Sequence, residues 1–317
     1  MTPYREFDCS RLTLFPLAER EHDLDLGVIL PLAPRAVTHD PLRLVARRME
    51  AAREQGAAIV LMMGAHVLRS GVQRYLLDWL DRGWISCLAV NGAFAIHDYE
   101  LALIGATTES VARYIRDGRF GMWRETGRLN DVVKDGAARG MGLGEAVGRE
   151  IACGAFPHAH ISVLAAAWSR QVPVTVHVGI GHDIIHPHAN CDGGAYGQTS
   201  HRDFLRFAAV LEGLEGGVVM NFGSAVMAPE VYLKALSMVR NVGLTIARFT
   251  SLVCDLKALP ATVGKEPERQ NPDYYFRPWK TMLVRTVADG GEGYYVRGRH
   301  EETIPQLWSA LGDNAGR

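Results

Sequence analysis

Neither sign of charge dominates this chain: 34 Lys and Arg stand against 35 Asp and Glu, for a formal net charge of −1. No long basic run or tail offsets that balance, so a nucleic acid or an anionic membrane has nothing to grip. Cysteine is scarce too. The five (Cys9, Cys87, Cys153, Cys191, Cys254) are scattered, odd in number and never spaced CxxC, which fits unpaired thiols in a reducing compartment. Long apolar runs are missing as well. Charges break every apolar stretch of "MTPYREFDCSRLTLFPLAEREHD", so there is no signal-peptide core. Runs such as "AAIVLMMGAHVL" are too short and too punctuated to span a bilayer. These absences predict a soluble cytoplasmic protein whose partner is a small molecule, with neither nucleic acid nor membrane involved.

What is present is a repeated grammar in 317 residues that are 48% hydrophobic, ample for a large core. Residues 1–36 read as an irregular arm with Pro16, Pro31 and Pro34. From there to residue 317 we expect a single domain. "DPLRLVARRMEAAREQG" carries apolar residues at helical spacing and ends at Gly56; "AAIVLMMG" follows as a strand apolar on both faces. "SGVQRYLLDWLDRG" predicts a helix capped by Ser70 and stopped at Gly83, and "ISCLAVNG" the next buried strand. The second half repeats the alternation. A helix is predicted over 142–155, and another in "HISVLAAAWSRQ". "VPVTVHVG" then reads as a strand, and "SHRDFLRFAAVLEGLEG" as a helix with Ser200 and Asp203 in a capped first turn. "GVVMNFG" is a strand, "APEVYLKALSMVRNVG" a helix, "GLTIARFTSLV" a strand, "EGYYVRG" an edge strand and "HEETIPQLWSALG" the closing helix. Two glycine- or proline-rich excursions, 116–145 and 265–279, interrupt the pattern. The first could form a lid or an interface arm.

This alternation implies an α/β fold: a doubly wound, mostly parallel, Rossmann-like sheet with helices on both faces. Ligands in such sheets sit where strands end and helices begin. That rule nominates Gly64, Ala65 and His66; Asn91, Gly92, Ala93, His97 and Asp98; the stretch 179–188; and Asn221, Gly223, Ser224 and Ala225. Small residues after a buried strand let backbone amides approach a ligand, although Asp98 also reads as an ordinary helix cap. Neither glycine loop matches GxGxxG or the P-loop.

The densest chemistry lies in "HVGIGHDIIHPHANCDG". His182 and His186 are four apart, as in HExxH, but Asp183, Ile184 and Ile185 intervene and Pro187 disfavours helix at His186. A zinc or iron site built from His182, Asp183, His186 and His188 is one reading. Acid/base work by His182, Asp183 and His186 at a strand-end pocket is the preferred one, since a carboxylate beside an imidazole sets its tautomer and pKa. His188, Asp192 and Lys234 are assigned to the substrate. Cys191 has no partner base at a recognisable offset and is a poor nucleophile candidate.

Three stretches in order, "MMGAHVLRSGVQRYLLDWLDRGWISCLAVNGAFAIHDYELAL", "VPVTVHVGIGHDIIHPHANCDGGAYG" and "VVMNFGSAVMAPEVYLKAL", resemble the deoxyhypusine synthase family in a divergent form, with "GYYVRGRHEETIPQLWSAL" as its terminal strand and helix. The resemblance implies a Rossmann-like NAD-binding fold and a homo-oligomer, a dimer or tetramer, with sites at subunit interfaces. It also shows departures. The family's TSN is Gly64, Ala65 and His66 here; of its TAGGxEED loop only Asp98 keeps an acid; and Met227 stands where GGGVVK carries the imine-forming lysine. A thioether forms no imine, so deoxyhypusine synthesis is not expected. With the acids thinned, a neutral or anionic substrate is expected instead. The reading is therefore an NAD-binding enzyme acting on a small metabolite by dehydrogenation or NAD-assisted transfer or elimination, with the cofactor expected on Gly64, Ala65, His66, Asn91, Gly92, Ala93, His97, Asp98, Asn221, Gly223, Ser224 and Ala225. Its alternatives are a metal-dependent hydrolase or lyase and a non-catalytic ligand-binding protein.

Overall fold

The computed structural model describes residues 3–260 and 263–313. Helix α1 (Asp40–Glu54) leads into strand β1 (Ile59–Met63), helix α2 (Gln73–Asp81) into β2 (Cys87–Asn91), and β2 directly into α3 (Gly92–Ile104). Helices α4 (Leu129–Ala138), α5 (Leu143–Cys153) and α6 (Val163–Ser169) precede β3 (Val174–His177). Then come α7 (Gly193–Leu211), β4 (Val218–Phe222), α8 (Met227–Asn241), β5 (Thr250–Asp255), β6 (Glu292–Arg297) and α9 (His300–Asp313).

The six strands form one sheet in the order β3-β2-β1-β4-β5-β6, every neighbouring pair parallel. This is the doubly wound Rossmann order, with the turning point between β1 and β4. The side-chain period of two explains why β1 is buried at all five positions. Ile59, Leu61 and Met63 face a core shared with α1, α2, α3, α5 and α9, while Val60 and Met62 face a second core under α7, α8 and the π-helical segment Pro278–Arg285. A strand covered on both faces needs the continuous apolar run that "IVLMM" supplies.

Residues before α1 wrap the C-terminal rim of the sheet. Leu24 and Asp25 pair antiparallel with Ala106 and Thr107, and Arg20 reaches inward to a buried bidentate ion pair with Glu100, both contacts 2.8 Å. Thr107 and Thr126 each donate a further bond to that carboxylate, at 2.6 Å. Leu17, Tyr114 and Trp123 close a small separate core between the arm and the first excursion. That excursion is packed: Gly121 donates its N–H to Glu109 and accepts from His188, at 3.0 and 2.7 Å, and residues 129–138 are α4.

Three local expectations need correction. Ser70 does not cap α2; its hydroxyl donates to the Val67 carbonyl at 2.7 Å and closes the single helical turn His66–Arg69. Ser200 and Asp203 are not in a first turn. Helix α7 begins seven residues before Ser200, capped by Asp192, whose Oδ1 accepts from the Ala195 N–H at 3.0 Å. Glycines 193, 194 and 197 disguised that start as loop. The strand expected from 243 begins only at Thr250, because the Arg240 guanidinium captures the Ile246 carbonyl.

Candidate functional site

At the turning point the loops after β1 and β4 touch. A Cβ on Gly64 would lie 2.5 Å from the Gly223 carbonyl oxygen, and one on Gly223 would lie 2.4 Å from His300 Nε2, with Gly223 at φ +67°. Glycine is required at both places. Asn221 braces the second loop from below, its amide donating to the Ser224 carbonyl at 2.9 Å and its Oδ1 accepting the Ser224 N–H at 3.2 Å. Ser224 in turn accepts the Ala228 N–H at 3.1 Å and caps the entry of α8. Asn221 and Ser224 are buried and shape the turn; Gly223 lines the cleft, and Ala225 is exposed at its rim.

Two cavities open along this rim and meet at Arg69. The larger, about 920 Å³, is lined by His66, Arg69, Gly223, Asp255, Arg299 and His300, with leucines of the arm above them. The smaller, about 450 Å³, lies over the ends of β2 and β3, with His97, Glu100, Glu109 and Asp183 in its wall. His66 Nε2 accepts from Arg69 at 3.1 Å. Arg69 Nε and His300 Nδ1 are buried without a hydrogen-bond partner, and burial lowers the pKa of His66 and of His300. Orphaned buried donors and acceptors are costly unless a polar ligand meets them.

Asp183 lines the smaller cavity. Its side chain is 9% exposed, and burial pushes its carboxyl up to about 6 against the opposing pull of nearby His182. Gly92 makes room for it: a Cβ there would sit 1.9 Å from Asp183 Oδ2. His186 lies behind, 2% exposed, its Nε2 3.8 Å from the same carboxylate. Its Nδ1 accepts two backbone N–H groups, from Gly181 at 3.0 Å and Asp183 at 3.2 Å. The proton of the neutral ring is therefore on Nε2, which is buried without a hydrogen-bond partner. The ring also stands edge-on to Tyr196 at 4.7 Å, and burial lowers its pKa. His182 is exposed at the mouth.

The structure thus brings together Gly64, His66, Gly92, Ala93, His97, His182, Asp183, His186 and Gly223 along the rim, with buried Ala65 beneath. Others lie elsewhere. Asn91 caps α3, its Oδ1 accepting from Phe94 at 3.1 Å. Asp98 is fully buried on the far side of α3, accepting from Ser162, Val163 and Leu164 at 2.5, 2.9 and 3.0 Å as the cap of α6; it faces no cavity. His188 is fastened through Nε2 to the Gly121 carbonyl, and Asp192 caps α7. Lys234 is exposed on α8 and paired with Glu230. Burial and neighbouring Asp192 raise the Cys191 thiol, which makes it a worse nucleophile. Among the described residues no three His, Cys, Asp or Glu side chains converge as metal ligands. With His188 turned away, the four-residue metal reading loses its geometry.

Sequence reasoning missed Arg69, Asp255, Arg299 and His300. The strand-end rule reaches the last three when applied to the ends of β5 and β6, and Arg69 one helical turn beyond β1. Arg20 and Glu109, from the arm and a loop, had no signal. The acids in the smaller cavity, Asp23, Glu100, Glu109 and Asp183, outnumber Arg20 and Arg69, and one of them, Glu100, is paired with Arg20.

A family model for the C-terminal Rossmann-fold domain of ArgZ-like arginine dihydrolases matches residues 43–141, from α1 to the loop after α4. No curated protein matches the chain. Among solved structures it is similar to ArgZ, an arginine dihydrolase from the ornithine–ammonia cycle in cyanobacteria, with TM-score 0.53 and 16% identity over 87% of this chain and 33% of that one. Unliganded AgrE gives 0.52 and 16%, over 88% and 34%. A conserved putative LOR/SDH protein from Methanococcus maripaludis S2 gives 0.51 and 13%, over 90% and 74%. The chain spans about a third of the length of ArgZ and AgrE. These likenesses establish the Rossmann-type fold and nothing finer.

Proposed function

We propose that this chain is an NAD-binding enzyme acting on a small metabolite, with the dinucleotide in the larger cavity and the metabolite in the smaller. The observation that carries the reading is the crevice over the strand-order reversal, where dinucleotides bind in sheets of this order. Two polar groups support the fit: Arg69 Nε and His300 Nδ1 are buried polar atoms lacking partners, while glycines at 64 and 223 let the two loops and His300 pack closely beneath the crevice. Gly64, His66, Arg69, Gly223 and His300 would hold the cofactor. Arg69, at the junction, suits a pyrophosphate, and the Asp255 carboxylate favours an unphosphorylated ribose. When bound, NAD supplies a hydride acceptor.

The chain's own residues do the rest. Asp183, held up to about 6 by burial, is a carboxylate at neutral pH with enough proton affinity to take a proton from a ligand O–H or N–H. His186 carries its Nε2–H 3.8 Å from that carboxylate, without a hydrogen bond to it, and fixes the loop through two backbone amides. The excess of acids around the cavity favours a metabolite with a cationic group. Dehydrogenation, or NAD-assisted transfer or elimination, is the chemistry such a constellation supports. No helix among the described residues is long and apolar enough to cross a membrane. Assembly into a dimer or tetramer belongs to the same proposal and is read out by light scattering of the purified chain.

Titration calorimetry with NAD tests the cofactor. A Kd in the micromolar range and a rise in melting temperature on adding NAD, both weaker for NADP, are expected. No heat and no thermal shift at millimolar NAD would overturn the reading.

A further inference from the structure

Inside the smaller cavity one hydrogen-bond chain decides where a proton sits. Glu100 is buried and bound bidentately by Arg20 at 2.8 Å, so it is a carboxylate and can only accept. Thr107 Oγ1 lies 2.6 Å from Glu100 Oε2 and therefore gives its single hydroxyl proton to it. The same oxygen is 2.8 Å from His97 Nδ1. With its proton already engaged, the hydroxyl accepts there, and His97 Nδ1 carries a hydrogen. Among the described residues nothing bonds His97 Nε2, and His97 lines the cavity.

We propose that His97 is a fixed hydrogen-bond acceptor of this cavity, held as the Nδ1–H tautomer by Thr107, Glu100 and Arg20, and that it selects ligands presenting an O–H or N–H donor. Arg20, Glu100 and Thr107 are positioning residues, acting through the ring. Burial, reinforced by Arg69, His66 and Arg20 and opposed by Glu100, lowers the His97 pKa to about 4, so the ring stays neutral at physiological pH and Nε2 keeps its lone pair. An acceptor that cannot become a donor discriminates: a ligand with only acceptors there meets lone pair against lone pair. The inference rests on assigning the smaller cavity to the metabolite, but its test uses no cofactor.

Long-range ¹H–¹⁵N spectroscopy of the full-length, ligand-free protein distinguishes the two ring nitrogens, with His97→Gln giving the assignment. At pH 7.5 the expected spectrum has a pyrrole-like Nδ1 and a pyridine-like Nε2, the Nδ1–H form in excess by about tenfold or more. Thr107→Val keeps the side-chain shape and removes the bridge, and its ring should revert mainly to Nε2–H. Propan-2-ol as a probe should move the Nε2 resonance, and its methyl ether should not. A wild-type His97 that is Nε2-protonated or cationic overturns the proposal even if the valine variant fails to fold. An unchanged tautomer in a folded Thr107→Val, or equal shifts with alcohol and ether, also overturns it.

Discussion

Replacing Arg20 by Met should expose how much of the fold hangs on one buried charge pair. Both side chains of the Arg20–Glu100 pair are 1% exposed, and Arg20 also lies 5.8 Å from the Trp123 ring centroid. Methionine fills much of the stem's volume but leaves the carboxylate with only the two threonine hydroxyls. Breaking one side of such a pair costs about 3–5 kcal/mol if the remaining charge stays buried. Protonation sets a ceiling. From an ordinary value of 4.5, neutralising Glu100 at pH 7.5 costs about 4 kcal/mol, at about 1.36 kcal/mol per pH unit; at pH 5.5 it costs only about 1.4 kcal/mol by the same rule.

In the native chain Glu100 sits below its ordinary value, because the Arg20, Thr107 and Thr126 bonds outweigh its burial. Its contribution is therefore present above pH 4.5 and fades as pH falls through the folded value. The variant runs the other way: its stability deficit, about 3–4 kcal/mol at pH 7.5, should shrink to about 1–2 kcal/mol at pH 5.5. Urea unfolding followed by tryptophan fluorescence at both pH values measures it. Arg20→Met with Glu100→Leu should be less damaging than Arg20→Met alone, since no charge is stranded. A loss under about 1 kcal/mol, or one independent of pH, would refute the reasoning.

Two further outcomes follow from the site. Asp183→Asn should lower turnover by about 10²–10⁴-fold and abolish an acid limb near pH 6 in the rate profile. It should also stabilise the fold, because a carboxyl raised from 3.8 to about 6 costs the folded state up to about 3 kcal/mol above pH 6 and nothing below its unfolded value; a melting temperature that falls at pH 8 would contradict this. Gly223→Ala places a Cβ 2.4 Å from His300 Nε2 at a positive φ and should weaken NAD binding about tenfold or more, at about 1 kcal/mol in stability. Calorimetry beside a thermal melt separates the two effects.

The fold was legible because its signal is periodic. The runs "IVLMM" and "VVMNF" are apolar without a break, as strands covered on both faces must be, and the helices between them show their stripes. The glycine turns at 64 and 223 were legible for the same reason: a strand rule places them at the rim. Side chains whose role depends on tertiary context were not. Asp98 and Asp183 are both acids following strands, yet one is locked behind α3 under three donors and the other faces a cavity. Nothing local separates them. Arg20 reaches across 80 positions to Glu100, and no periodicity in an irregular arm announces such a contact. His188 looked like a ligand because histidines crowd its neighbourhood in sequence; it is turned toward a carbonyl supplied by a distant loop.

The lateral margin of β3 has a consequence for assembly. Where another strand would lie, α7 offers side chains: Asp203 Oδ2 accepts the Val176 N–H at 2.9 Å, while Ser200 Oγ donates to the Val176 carbonyl at 2.8 Å and accepts the Val178 N–H at 3.2 Å. A carboxylate and a hydroxyl thus impersonate a neighbouring backbone and terminate the sheet chemically. Within the six-stranded sheet, edge-to-edge stacking is thereby left to β6, and a charge or proline placed on that strand is where an engineer would block it.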